Sequence, residues 1–286
     1  MPIISVLQSV ASPWLDAVAL ALTHGGSEQA YVALLLVAYL AVDARAGRLL
    51  GMSVLISYYL NQQAKAWFDT ARPFVDDPAL LRSEAARLTA PGAAFPSGHV
   101  QTATTFWGLV AALVRRRWVT WACASVITVM AATRLYLGLH WPIDVLGGVL
   151  LGLAVVAAAL ALARWRPRLG LPLRMAGWVA GPLAVHLVWP TTDSGLIAGA
   201  LAGFATGPEV VRYRPTGSAW RRAGIAALGL ALVFAWLLGT SVALPEAAKD
   251  HALVAPLRYF VLAWMGVVAA PWLAMRLGWM PRPRPA

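Results

Sequence analysis

Long apolar runs separated by short charged stretches dominate the chain. They lie at about 4–22, 29–43, 47–66, 99–114, 118–134, 143–163, 172–189, 194–210, 222–241 and 256–277, rich in Ala, Leu, Val and Gly. Most come close to the roughly 20 apolar residues that a helix needs to cross the hydrocarbon core. A backbone in lipid must satisfy its own polar groups, so such runs are read as helices. The pattern predicts an all-α polytopic membrane protein with about ten helices. The first run is the weakest, because Ser9, Ser12, Pro13 and Asp16 interrupt it; the alternative is a segment lying in the interface. One long gap, about 67–97, breaks the rhythm. Within it, the stretch 77–88 carries Leu80, Leu81 and Leu88 and suits a short interfacial helix.

Charge then orients the runs. The loops 43–48, 114–118, 163–174 and 211–222 and the C-terminal tail fall on one side and hold 16 of the 23 basic residues, among them Arg166, Arg168, Arg282 and Arg284. The other side holds Lys65, Arg72, Arg82, Arg87, Arg134, Lys249 and Arg258. The positive-inside rule makes the Arg-rich side cytoplasmic. The net charge of +11, which in a soluble chain would suggest nucleic acid, is therefore a topology signal, and no nucleic-acid partner is expected. Composition agrees: 60% of residues are hydrophobic and only 12% charged, about half the charged share of soluble domains. The single cysteine, Cys123, excludes an intramolecular disulfide. The N-terminus lacks a basic n-region and is read as mature sequence.

Three clusters carry the chemistry, each at a non-cytoplasmic helix end. They are Lys65 to Arg72-Pro73, Pro96-Ser97-Gly98-His99, and Thr133-Arg134 to His140 and Asp144. Ionisable groups at membrane depth are expensive and mark function by default. Lys65, Arg72 and Arg134 supply three cations, and arginine forks match phosphate oxygens. Ser97 and the backbone N–H groups of Gly98 and His99 at a helix start favour an anion. Pro142 at the first helical position puts Asp144 in the first turn, from which its carboxylate can reach back to His140. Asp144 would orient one ring nitrogen and leave the other as a nucleophile, with His99 as general acid. Three surrounding cations disfavour the competing reading of His140 and Asp144 as a metal pair, so no metal and no cofactor are expected.

The order Lys65-x6-Arg72-Pro73, Pro96-Ser97-Gly98-His99, Arg134-x5-His140-x3-Asp144 resembles the type-2 phosphatidic acid phosphatase superfamily. Thr133 stands where that pattern usually has Ser. The resemblance covers roughly 28–163, a six-helix core if the first run is included. It implies His140 as nucleophile, His99 as general acid and Asp144 as the partner of His140. Phosphate binding falls by the same resemblance to Lys65, Arg72, Ser97, Gly98 and Arg134. The expected domains are a membrane-embedded lipid phosphatase core at 1–165 and about four further transmembrane helices at 166–286, of unassigned role.

The expected activity is hydrolysis of a lipid phosphomonoester or diphosphate at the extracytoplasmic face of a bacterial cytoplasmic membrane. The resemblance implies as candidate substrates undecaprenyl diphosphate, phosphatidic acid, phosphatidylglycerophosphate and a sphingoid-base phosphate. Two rivals remain: a lipid phosphotransferase using the same phosphohistidine, and a lipid transporter with a phosphate site. Outside the clusters, Gly195, Gly199, Gly203 and Gly207 recur every four residues. That smooth face suits close helix packing, or an interface between two copies of the chain. His186 reads as a hydrogen-bonded packing residue, and Trp67, Phe68 and Phe74 as interface anchors or contacts for a lipid chain.

Overall fold

The computed structural model describes residues 2–164, 170–190, 193–249 and 251–279. Arg166, Arg168, Arg282 and Arg284 of the charge census lie outside the described residues. Among the described residues there are helices and no strands. In order, these are α1 (Pro2–Gln8), α2 (Pro13–His24), α3 (Glu28–Val37, continued by a π-turn over Ala38–Val42), α4 (Ala44–Phe68) and α5 (Pro73–Asp76). Next come α6 (Glu84–Leu88), α7 (Gly98–Val114), α8 (Arg117–Tyr136), α9 (Pro142–Leu162) and α10 (Leu171–Val188). The last are α11 (Ser194–Val210), α12 (Ala219–Ala243), α13 (Glu246–Lys249), α14 (Val254–Trp264, continued by a π-turn over Met265–Ala269) and α15 (Ala270–Arg276).

Among the described residues, five stretches are long and apolar enough to cross a membrane: α8, α9, α10, α12 and Val254–Arg276. Helix α2 and Glu28–Val42 together make a sixth, bent by 51°. Helices α7 and α11 have 17 residues each, about 25 Å at 1.5 Å per residue. The first apolar run is not one element: it breaks into α1 and α2. The break is chemical. Ser12 caps α2 by accepting from the Leu15 amide at 3.3 Å, and Pro13 occupies the first helical position. Asp16 is taken up in a polar cluster, with Arg82 donating through Nε at 3.1 Å and Nη2 at 2.9 Å and the Tyr136 hydroxyl at 2.5 Å.

The chain divides into two compact units, one of residues 1–31 and 57–164 and the other of 32–56 and 165–286. Residues 32–56 group with the C-terminal helices. Their side chains explain it: Leu36, Tyr39 and Leu40 belong to one core with Phe204, Ile225, Val233 and Val267.

In the first unit, α7 and α9 approach closely where side chains are missing. A Cβ on Gly148 would lie 2.7 Å from the Ser97 carbonyl oxygen, and one on Gly152 would lie 2.6 Å from Thr104 Cβ. At the end of α8 the backbone turns through Gly138 (φ +72°), where a Cβ would stand 2.0 Å from the Leu80 carbonyl oxygen. Only glycine fits both that conformation and that approach.

In the second unit, the four-residue glycine stripe of α11 is covered from within the chain. A Cβ on Gly199 would lie 1.9 Å from the Pro256 carbonyl oxygen, one on Gly203 2.6 Å from that of Phe260, and one on Gly207 2.3 Å from Val267. The close-packing reading therefore accounts for this stripe within the chain. His186 is hydrogen-bonded through both ring nitrogens, to Ser194 Oγ at 2.8 Å and to the Ala252 carbonyl at 3.1 Å.

Candidate functional site

The three sequence clusters meet in the first unit. Lys65 comes from the last turn of α4, Arg72 from the residue before α5, Ser97, Gly98 and His99 from the start of α7, Arg134 from the last turn of α8, and His140 and Asp144 from the start of α9. A backbone bond ties two of these starts together, the Ser97 amide donating to the Asp144 carbonyl at 3.0 Å. Pro142 opens α9 as expected, and Asp144 reaches back: its Oδ2 accepts from the Trp141 amide at 2.7 Å. The same oxygen lies 3.3 Å from His140 Nδ1. That contact assigns the proton to Nδ1 and leaves Nε2 as the basic nitrogen.

His140 and Asp144 are each 1% exposed. Burial, then the charges of Arg134, Arg72 and Lys65, hold the His140 imidazole well below its ordinary range, so it is neutral at pH 7. A neutral ring whose Nε2 lone pair can be uncovered is what a nucleophile requires.

The cations are held by neutral oxygens. The Arg134 Nη1 group donates to Thr23 Oγ1 and Thr89 Oγ1, both at 2.9 Å, and Nη2 donates to the Thr89 carbonyl at 3.2 Å. Lys65 Nζ donates to the Ala93 carbonyl. Arg72 is engaged by protein on every side. Its Nε donates to Gly92 O at 2.9 Å, Nη2 to Pro91 O at 2.9 Å and Ala93 O at 3.1 Å, and Nη1 to Leu139 O at 2.8 Å. Nη1 also lies 3.2 Å from His140 Nε2. Burial pulls Arg72 down to about 10, offset in part by Asp144, so it is charged at pH 7. In this structure Arg72 therefore binds the 91–93 turn and covers the lone pair of His140.

Two buried donors have no acceptor: Ser97 Oγ and Arg134 Nε. A buried donor left unpaired costs about 1–3 kcal/mol. An oxyanion reaching either one would supply its missing acceptor. His99 stands half-buried in the first turn of α7. Its ring lies against Gly26, where a Cβ would be 2.9 Å from His99 Cδ2. A cavity of about 480 Å³ adjoins the cluster, lined among others by Arg72, Phe74, Arg87 and Gly92. Among the described residues, no three of His, Cys, Asp and Glu gather closely enough to hold a metal ion.

Several residues of the site escaped the sequence reading. Thr23 and Thr89 support Arg134 from α2 and from the loop after α6. Asn61, one turn before Lys65, donates to the Pro96 carbonyl at 3.2 Å and to Gln101 Oε1 at 2.8 Å. Gln101 in turn donates to the Ser57 carbonyl at 2.8 Å. Polar residues four apart on two apolar helices, Ser57 and Asn61, Gln101 and Thr105, were the available signal.

Residues 46–168 match the PAP2 superfamily, and residues 191–282 match the transmembrane extension of PAP2 superfamily phosphatases. The chain belongs to the PAP2 superfamily. It is thus an all-α membrane protein of a lipid phosphatase family, and the C-terminal helices are a recognised extension of that family. Phosphatidylglycerophosphatase B of Bacillus subtilis is 29% identical over 157 residues, which cover 50% of this chain and 73% of that protein. Phosphatidylglycerophosphatase B of Escherichia coli is 42% identical over 91 residues, 30% of this chain and 35% of that protein. The crystal structure of Aquifex aeolicus LpxE aligns over 56% of this chain and 93% of its own, with a TM-score of 0.48 and 20% identity.

Proposed function

We propose that this PAP2 protein hydrolyses a lipid phosphate ester through a phosphohistidine at His140, without a metal ion. The observation that carries the reading is the pair of buried, acceptor-less donors, Ser97 Oγ and Arg134 Nε, in a cluster whose histidine is held neutral. The substrate phosphate enters that gap. Lys65, Arg134, Ser97 and the backbone of Gly98 bind its oxygens. Arg72 exchanges its carbonyl partners for phosphate, which frees Nε2. The Nε2 lone pair then attacks phosphorus, the bond from phosphorus to the lipid oxygen breaks, and His99, which takes up a proton once the bound phosphate offsets the charges of Arg134, Arg72 and Lys65, gives that oxygen its proton. Asp144 holds the Nδ1 proton and steadies the ring as charge develops. Water next attacks the phosphohistidine, yields its proton to His99, and phosphate leaves with His140 restored. The three cations stabilise the equatorial oxygens in both transition states.

The bacterial relatives named phosphatidylglycerophosphatase B favour phosphatidylglycerophosphate among the candidates. The excess of arginine on the opposite side of the predicted layout favours an active site facing out of the cytoplasmic membrane. The test is phosphate release from purified protein on a panel of lipid phosphates with EDTA present. Turnover should persist in EDTA, stop with vanadate and be absent from His140→Ala. EDTA-sensitive turnover, or turnover by His140→Ala, overturns the reading.

A further inference from the structure

The second unit holds a groove with the same shortage of negative charge, unrelated to the histidine site. It has a volume of about 380 Å³ and is lined by Val37 and Ala41 on one wall and by Ala219, Arg222, Ala223, Ala227 and other residues of α12 on the other. That size falls within the range of small-ligand sites. Residues 219, 223, 226, 227 and 230 share one helical face, and four of the five are alanine, so the face is a trough. The one charged lining residue is Arg222. Its Nη1 donates to the Ala41 carbonyl at 3.1 Å, while its Nε is closed off from solvent with no acceptor. No ion pair involves Arg222 among the described residues. In the same unit Arg48 and Arg174 both pair with Glu209, at 3.3 and 3.1 Å. An apolar trough that ends at an uncompensated guanidinium is complementary to an amphiphile with an anionic head and an aliphatic tail.

We propose that this groove binds one anionic phospholipid, its phosphate on Arg222 and an acyl chain along the alanine face of α12. Ser218 caps α12 one turn before Arg222, its Oγ accepting from the Arg221 amide at 3.4 Å. The first amides of the helix therefore add to the favourable field at the phosphate. Trp220, 87% exposed beside the site, suits the headgroup level.

The test uses the full chain in phosphatidylcholine nanodiscs with a diazirine-bearing phosphatidylglycerol, and maps the crosslinks by mass spectrometry. Crosslinks should fall on 37–41 and 219–230. Unlabelled phosphatidylglycerol should compete, whereas diacylglycerol and inorganic phosphate should not. Arg222→Gln removes a charge-assisted contact and should lower labelling about tenfold. Ala227→Phe fills the trough while keeping Arg222 and should lower it comparably. If Arg222→Gln does not fold, Ala227→Phe decides, with an unchanged melting temperature as its control. Labelling that survives Ala227→Phe, or a diacylglycerol probe that labels equally, overturns the site, as does equal competition by inorganic phosphate.

Discussion

Two sets of cations, one in each unit, are partnered in opposite ways. In the second, Arg48 and Arg174 share the carboxylate of Glu209. In the first, Lys65, Arg72 and Arg134 converge with no ion pair among the described residues, and Asp144 is turned towards His140. Partnered charges fasten helices together. Cations gathered around neutral oxygens carry a standing electrostatic cost that only an incoming anion removes. Placement of negative charge, more than the number of cations, thus separates a tether from a site. Glu209 serves two arginines in one unit, and Asp144 serves a histidine in the other.

The sharpest way to break this contrast is to change what Asp144 does for His140. Asp144→Asn keeps the shape but weakens control of the tautomer, so kcat should fall by about 10⁴ with little change in KM; a loss under tenfold would make Asp144 a helix cap only. Arg134→Gln removes the buried charge and should lower kcat/KM by about 10²–10³, as for loss of a donor to developing charge. Thr23→Val takes away one of its supports and should cost on the order of tenfold. A Thr23→Val enzyme with unaltered kinetics would show that Arg134 needs no help from α2.

The pH profile sharpens the same point. Burial and nearby cations disfavour the imidazolium of His140, which places its folded-state titration below the ordinary value. As pH is lowered, the imidazole stays neutral through about 6.5, and on the proposed mechanism its acid limb in kcat/KM should appear only below that. A limb at or above 6.5 that moves in His140 neighbours such as Arg72→Lys would contradict the electrostatic picture. The smallest effect belongs to the second unit. Glu209→Gln unpairs two half-exposed arginines and should cost about 1 kcal/mol of stability at most, read as a melting shift of a few degrees with kcat unchanged.

Much of this was legible in the chain. The apolar runs located the helices, and motif order located the residues at the site, because helix ends and short loops carry their own signals. Pro142 and Asp144 announce the start of α9 and its reach back to residue 140. The supports were not legible. Thr23 and Thr89 are 111 and 45 residues from Arg134 in sequence, and a lone threonine carries no periodic mark. Nor could sequence say that Arg72 would be saturated by carbonyls of the 91–93 turn, since backbone acceptors are present at every residue. Residues 32–56 look like ordinary early spans. Their place with the C-terminal helices depends on which apolar face meets which, and apolar faces in lipid are interchangeable until packed. The glycine stripe of α11 shows the same limit: its smoothness was readable and its occupant, α14, was not.

The central claim is that a neutral His140 takes the phosphate covalently. Rapid-quench mixing of the purified protein with a lipid substrate carrying labelled phosphate, followed by peptide mapping under alkaline conditions, tests it directly. The account predicts an acid-labile, base-stable label on the peptide containing His140, formed within the first turnover and absent from His140→Ala. Label on another residue, or single-turnover release of phosphate with no labelled protein at any time, would contradict it.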